Sequence, residues 1–346
     1  MKRFGNNLVA IDMPSNEADG LIESLNQSTT LSWEYAICVS NNRNSRLDNI
    51  ARYIKYFVFP FSLFLKRKTI DNLIAWQEFY GIIFAFYCRL FHVKKTTNLL
   101  VLTFMYTPKK GILGKIYNWF IHYSVCNKYV DHIVCFSKDE LEWYYKEFGF
   151  TENDISFLPV AVRRIPTCDT TISKEKYVFS AGRSGRDFDF VIRSLNNTQY
   201  NVFIADNKTT VPPASNITID GKVCGDEMFN IMAHSYCLVT PLKDSLKSAG
   251  HLMSLQAMQM GKPVISTDSS GMRPYIVDGY NGFFIKNDKE ELLNALNKLY
   301  SNDELYEEMS KNALATYDEY SFSKLGERIA LLDESFGFLN KLNNNI

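Results

Sequence analysis

Short apolar runs alternate with longer amphipathic segments along the whole chain. NLVAI (7–11), YAICVS (35–40), NLIAW (72–76), LLVLTFMY (99–106) and HIVCFS (132–137) have the length and side chains of buried strands. Between them the pattern predicts helices near 45–67, 79–92, 112–128 and 138–148. ISFLPVAVRRIPTCDTT (155–171) reads as a last strand followed by a linker, broken by Pro159 and Pro166. A second series then begins. Its strands are YVFSAG (177–182), NVFIA (201–205), NITI (216–219), YCLVTP (236–241) and FFIK (283–286). Its helices are DFDFVIRSL, DEMFNIMAHS, KEELLNALNKLYSN and DELYEEMSKNALATYDEY. Such alternation predicts two α/β domains with parallel sheets, facing a central cleft, and ligands in such sheets bind beyond the carboxyl ends of the strands. The expected boundaries are 1–168, 172–320, and a C-terminal helix, 321–346, that packs back on the first domain.

The stretch SAGHLMSLQAMQMGKPVIST (248–267) fits a loop, helix, turn and strand. Gly261 is placed as the helix C-cap, since glycine enters the left-handed region without steric cost. A helix starting near Ser248 sets Ser248, Leu252 and Gln256 on one face, four residues apart.

Composition sharpens this reading. The 346 residues suffice for two sizeable cores, and the 46% hydrophobic fraction is ordinary for a soluble globular protein. The formal net charge is zero, yet residues 1–165 hold 20 Lys+Arg against 15 Asp+Glu, and the rest holds 18 against 23. A basic first half predicts an anionic partner there, while the balanced total and lack of a dense basic run argue against nucleic acid. The seven cysteines are scattered with no CxxC pair, so zinc is not expected and a reducing cytosol fits. MKRFGNNLVAIDMPSN lacks the apolar core of a signal peptide, and no run reaches 18 apolar residues. The expected location is cytoplasmic, with a peripheral position on the inner face of the cytoplasmic membrane as one form of it.

Three loops at predicted strand ends can carry chemistry. SAGRSGRD (180–187) has Gly182 for a tight bend, and Arg183 and Arg186, whose guanidinium groups suit phosphate oxygens. DGKVCGDE (220–227) is a turn before an acidic helix start, with Lys222 and Val223 as candidate contacts. In PLKDSLKSAGH, backbone N–H groups at a helix start form an anion site, and Ser248, Ala249 and Gly250 are small enough for a phosphate to approach.

The second half resembles the nucleotide-sugar-binding domain of GT-B glycosyltransferases, in particular the large retaining group 1 family. The resemblance rests on GRSGRDFDFVI, on PLKDSLKSAGHLMSLQAMQMGKPVISTDSSGMRPYIVDGYNGFFI and on the helical tail. It covers about 150 residues well. In the first half it rests on rhythm and on VDHIVCFSKDELEWYY. It implies two Rossmann-like domains, a nucleotide-sugar donor, UDP by family frequency, and a saccharide acceptor in bacterial surface polysaccharide synthesis such as O-antigen, capsule or exopolysaccharide; a lipid-linked acceptor would reconcile the basic first half with a soluble chain. Where the family has two glutamates at the donor helix, this chain has Ser248 and Gln256. Gln256 can still hydrogen-bond ribose hydroxyls, whereas Ser248 is too short to copy a glutamate. His251 falls where the family has a glycine, and Leu252 follows it at the donor site. The resemblance gives Arg183 and Arg186 the diphosphate and implies retention; with these arginines and the helix start near Ser248–His251 on the departing charge, and no clustered carboxylate motif, the expected reaction is metal-independent and without a cofactor.

The acceptor domain lacks the family's histidine after the fourth strand; TFMYTPKKG stands there. Glu78, Tyr106 and Thr107 are the candidate catalytic groups at strand ends, with His251 from the other domain, while His122 and His132 read as packing residues. ARYIKYFVFPFSLFLKRKT (51–69), with Pro60 inside it, KKGILGKIYNWFIHYSV (109–125) and YGIIFAFYCRLFHVKK (80–95) set lysines beside aromatics, as interfacial helices on anionic lipid do. Two other readings are a catalytically inactive partner subunit, motivated by the missing glutamates, and a GT-B-like sugar-nucleotide epimerase.

Overall fold

A computed structural model describes residues 6–18, 20–39, 46–166, 169–183, 185–206, 208–243 and 249–339. The chain divides into two compact units, one holding residues up to Arg163 and those from Phe322 onward, the other Arg164–Ser321.

Unit 1 runs β1 (Asn6–Ile11), α1 (Leu21–Ser28), β2 (Trp33–Ile37), α2 (Arg46–Lys66), β3 (Ile70–Ala75), α3 (Glu78–Leu90), β4 (Asn98–Val101), α4 (Gly111–Val125), β5 (His132–Cys135), α5 (Lys138–Phe148) and β6 (Ile155–Phe157). The strands form one parallel sheet in the order β2-β1-β3-β4-β5-β6. β4 and β5 are buried at every position, as strands covered on both faces must be. Unit 2 runs β7 (Tyr177–Ala181), α6 (Phe188–Leu195), β8 (Asn201–Ala205), β9 (Ile217–Ile219), α7 (Gly225–His234), β10 (Cys237–Thr240), α8 (His251–Gln259), β11 (Val264–Thr267), β12 (Gly282–Ile285), α9 (Lys289–Ser301) and α10 (Asp303–Glu319). Its parallel sheet has the order β12-β11-β10-β7-β8-β9. The last helix, α11 (Phe322–Phe336), belongs to unit 1 and lies against α1. Gly326 permits that approach, because a Cβ there would stand 2.3 Å from the Ser24 carbonyl carbon.

Four expectations are corrected. LLVLTFMY is strand only to Val101, because Thr103 adopts a left-handed φ of +58° that no ladder accommodates. β2 starts at Trp33, earlier than YAICVS suggests, and ends at Ile37. α1 is a helix that the apolar periodicity did not announce; its start is fixed by Glu23, whose carboxylate accepts the Gly20 N–H at 3.1 Å. The donor-loop helix begins at His251, not near Ser248, and Ser248 itself lies outside the described residues. The reason is Gly250, which takes φ +100° and so stands outside the helix as its N-cap.

Candidate functional site

In unit 2 the chain winds from β7 to β8 and β9 on one side, then crosses to β10, β11 and β12 on the other. The switch point therefore lies between β7 and β10, where open α/β sheets hold ligands. The loop after β7 folds tightly there. Gly182 sits at φ +132°, and a Cβ on it would fall 2.5 Å from Arg186 Nε. Only glycine leaves room for that guanidinium, whose Nε donates to the Ala181 carbonyl at 3.2 Å.

The neighbouring loop after β10 is laced to this one. Asp187 N–H donates to the Pro241 carbonyl at 3.1 Å, and Lys243 N–H to the Gly185 carbonyl at 2.8 Å. Arg186 and Leu242 form an antiparallel bridge between them. With the loop after β8, these segments enclose a pocket of about 160 Å³ whose charged lining is Arg183, Arg186, Lys208, Lys243, Asp189 and Asp206. Both carboxylates serve their own loops. Asp189 accepts the Thr210 and Val211 N–H groups at 2.8 and 3.2 Å, and the Thr210 hydroxyl bond holds its pKa below the usual range. Asp206 accepts the Lys208 N–H at 3.2 Å. Four cations against two engaged carboxylates suit a multiply charged anion. Burial draws the Arg186 guanidinium down to about 10, which leaves it charged at neutral pH.

His251 opens α8 as a buried residue, its ring 5.9 Å from that of Tyr275. Burial, and then the Arg186 charge, lower its pKa from 6.5 to about 4, so the imidazole is neutral at pH 7. The loop after β7 also reaches the other predicted donor residues, since a Cβ on Gly185 would stand 3.9 Å from Ala249 Cβ. Gly250 is pressed between Thr240 Cγ2 and Met272 Sδ, each 2.9 Å from where its Cβ would be. Thus Gly182, Arg183, Arg186, Ala249, Gly250 and His251 belong to one region. Leu252 is exposed and Gln256 half-buried, one turn apart on α8. Lys222 is exposed with its N–H bonded to Asp220 Oδ1 and Val223 is buried; of the predicted donor residues only Gly182, Arg183 and Arg186 line the pocket, whereas Lys222, Val223, Ala249, Gly250, His251, Leu252 and Gln256 do not. Lys208 and Lys243 were missed in the sequence, although each follows a strand end by three residues.

Unit 1 has its own switch point, between β1 and β3. Asp12, Gln77 and Glu78 cluster there, and Gln77 Nε2 donates to Asp12 Oδ2 at 3.3 Å. Gln77 also caps α3, accepting the Phe79 N–H with its side chain. Glu78 is the first residue of α3, buried, and its Oε2 accepts the Met105 N–H at 2.6 Å. Burial pushes its carboxyl up from 4.5 to about 8; the Met105 bond opposes the shift and the Glu140 charge adds to it. Tyr106 lies in an aromatic stack between Tyr117 and Trp143, with its hydroxyl buried, so its first role is packing. Thr107 is exposed. His132 is buried between Ser156, the Asn153 carbonyl and the rings of Phe336 and Phe338, and His122 stacks 4.3 Å from Phe148.

Residues 215–316 match the family described as glycosyl transferases group 1. A relative in Methanocaldococcus jannaschii, an uncharacterised glycosyltransferase, is 26% identical over 232 residues; the match covers 62% of this chain and 61% of that protein. Among solved structures, sucrose-phosphate synthase from Thermosynechococcus elongatus is similar over 96% of this chain and 99% of its own, with a TM-score of 0.65 and 11% identity. WaaG, a glycosyltransferase involved in lipopolysaccharide biosynthesis, is similar over 94% and 98%, with a TM-score of 0.60 and 15% identity. Anabaena HepE, solved in complex with UDP, is similar over 95% and 100%, with a TM-score of 0.61 and 11% identity. Residues 215–316 thus resemble the glycosyl transferases group 1 family, and the chain as a whole shares the fold of two parallel-sheet α/β domains with these solved glycosyltransferase structures.

Proposed function

We propose that the protein is a glycosyltransferase that moves a sugar from a nucleotide-sugar, UDP-linked, to a saccharide acceptor carried on a lipid, in bacterial surface polysaccharide synthesis. The observation that carries this reading is the pocket of Arg183, Arg186, Lys208 and Lys243 at the β7/β10 switch point. Its size and charge suit a diphosphate, and HepE, of similar fold, is solved with UDP. Glycosyl transfer passes through an oxocarbenium-like transition state while charge builds on the departing diphosphate. Cationic groups fixed in advance stabilise that charge without reorganising. Arg186 is fixed by its bond to Ala181 and by the Gly182 backbone beneath it. The neutral His251 imidazole beside it can donate or accept a hydrogen bond without adding repulsion. No step of this scheme requires a divalent metal. The retained configuration and the sugar rest on the family resemblance, with Gln256 on the ribose.

Glu78 is the acceptor-side candidate. A carboxyl with a pKa near 8 exchanges its proton close to neutral pH, the condition for general acid–base work. The test is release of UDP from a panel of UDP-sugars with lipid-linked saccharide acceptors, using wild type, Arg186→Ala and Glu78→Gln. Acceptor-dependent release that both substitutions depress supports the reading. Tight UDP binding without release under any acceptor moves the assignment to an inactive partner subunit, and acceptor-independent conversion of the sugar moves it to an epimerase.

A further inference from the structure

α2 and α4 both pack on α3, and they meet where Phe57 lies 6.4 Å from Phe120. Each has an inner apolar face, as a domain helix should. α2 buries Tyr56, Leu63 and Phe64, and α4 buries Ile121 and Val125. Each also has an outer apolar face, which a domain helix in water should not have. On α2 this face carries Tyr53, Ile54, Phe57, Val58 and Leu65, spaced as one helical stripe and all exposed. On α4 it carries Ile112, Leu113, Ile116 and Trp119, and the first two are 81% and 82% exposed.

Apart from Asp48 in the first turn of α2, the charges on these two helices have one sign. From Ile50 to Lys68 there are five cations, Arg52, Lys55, Lys66, Arg67 and Lys68, and no Asp or Glu. From Lys109 to Val125 there are three, Lys109, Lys110 and Lys115, and again no acid. Lys55, Lys66, Lys109, Lys110 and Lys115 are exposed beside the apolar stripes. Among the described residues no helix is long and apolar enough to cross a membrane. Apolar side chains, interfacial Tyr and Trp, and a predominantly cationic border are what a helix pair needs to lie in the headgroup layer of an anionic bilayer. A second copy of the chain would bring the same cations against each other, which disfavours self-association through this face.

We propose that the outer faces of α2 and α4 dock unit 1 on an anionic lipid bilayer, with Leu113 and Ile116 inserted and the lysines on the headgroups. This deepens the lipid-linked acceptor of the proposed function and rests on that reading for its purpose, though not for its physical basis. The test is co-sedimentation with phosphatidylglycerol/phosphatidylcholine vesicles and with phosphatidylcholine vesicles alone, for wild type, Leu113→Asp/Ile116→Asp and Lys109→Ala/Lys110→Ala/Lys115→Ala. Circular dichroism checks folding, and a UDP thermal shift is run on each variant. Wild type binds the anionic vesicles and weakly binds neutral ones; the aspartate pair lowers binding at least about tenfold. The lysine variant lowers it by a similar factor, and raised salt mimics that loss. The proposal is overturned if wild type ignores anionic vesicles, if both variants bind like wild type, or if light scattering shows a wild-type dimer that the aspartate pair dissolves. No vesicle binding by wild type, with its UDP shift intact, refutes the docking face alone. Vesicle binding present with no UDP shift in wild type refutes the donor reading alone.

Discussion

The two units solve one architectural problem with opposite electrostatics. Each is an open six-stranded parallel sheet with a switch point at the carboxyl ends of its strands. In unit 2 that point holds a charged Arg186 with Arg183, Lys208 and Lys243, and it suppresses the charge on His251. In unit 1 it holds a carboxyl, Glu78, that burial keeps protonated at neutral pH, set near a wall of aromatics. A site for a diphosphate needs fixed positive charge. A carboxyl whose pKa lies near the working pH can exchange a proton with a hydroxyl, as the proposed acceptor side requires. The fold supplies the crevice in both units, and the side chains at the strand ends decide its chemistry.

The largest effect that would break this comparison lies in unit 2. Arg186→Ala is expected to lower kcat/KM for a nucleotide-sugar by about 100-fold or more, as loss of a fixed donor at developing charge does. Arg186→Lys restores only part of it, because an ammonium cannot reproduce the guanidinium fork. Steady-state kinetics on the folded variants checks both. If Arg186→Ala turns over normally, the cationic pocket is not the donor site.

Next in size is the pH dependence of stability in unit 1. The folded pKa of Glu78 lies near 8 and its ordinary value is 4.5, so between these limits the native state binds the extra proton. Stability then falls as pH rises through that window, by a few kcal/mol in all. Glu78→Gln cannot ionise, and its urea-derived stability should be flatter from pH 5 to 8, leaving it more stable than wild type at pH 8.5. Parallel curves for the two proteins would place the carboxyl in water.

A smaller and opposite slope belongs to His251. Its pKa falls from 6.5 to about 4 on folding, so here the unfolded state holds the extra proton. Its contribution is complete above pH 6.5 and is lost as pH falls toward 4, by about 3 kcal/mol. His251→Gln should blunt that acid limb in urea titrations between pH 4 and 7. The smallest effect is Gly182→Ala. The left-handed φ and the 2.5 Å approach to Arg186 Nε together cost about 1–3 kcal/mol, read as a lowered Tm, with weaker nucleotide binding because the guanidinium must move.

Much of the fold was legible in the sequence because strand–helix alternation is a local signal. Runs such as NLVAI and HIVC are apolar at nearly every position, which only a doubly covered strand requires. The strand orders were not legible, since pairing β1 with β3 or β7 with β10 joins residues far apart in the chain. α1 escaped because its eight residues form barely two turns and its start depends on a glycine at φ +85°. In the site, Arg183 and Arg186 were visible through their strand-end loop. Lys208 and Lys243 obey the same rule and would have been found by applying it to every strand of the sheet. The state of Glu78 was hidden, because it depends on burial and on an N–H 27 residues away.

Donor binding in unit 2 is tested most directly by one titration: the thermal shift with UDP of wild type, Arg183→Ala, Arg186→Ala and Glu78→Gln. A ligand that binds only the native state raises its stability with concentration. A donor site in unit 2 gives a UDP-dependent rise in Tm for wild type and Glu78→Gln, and little or none for the two arginine variants. A rise that survives both arginine substitutions and disappears in Glu78→Gln, or no rise in wild type at millimolar UDP, would contradict the assignment of the donor to unit 2.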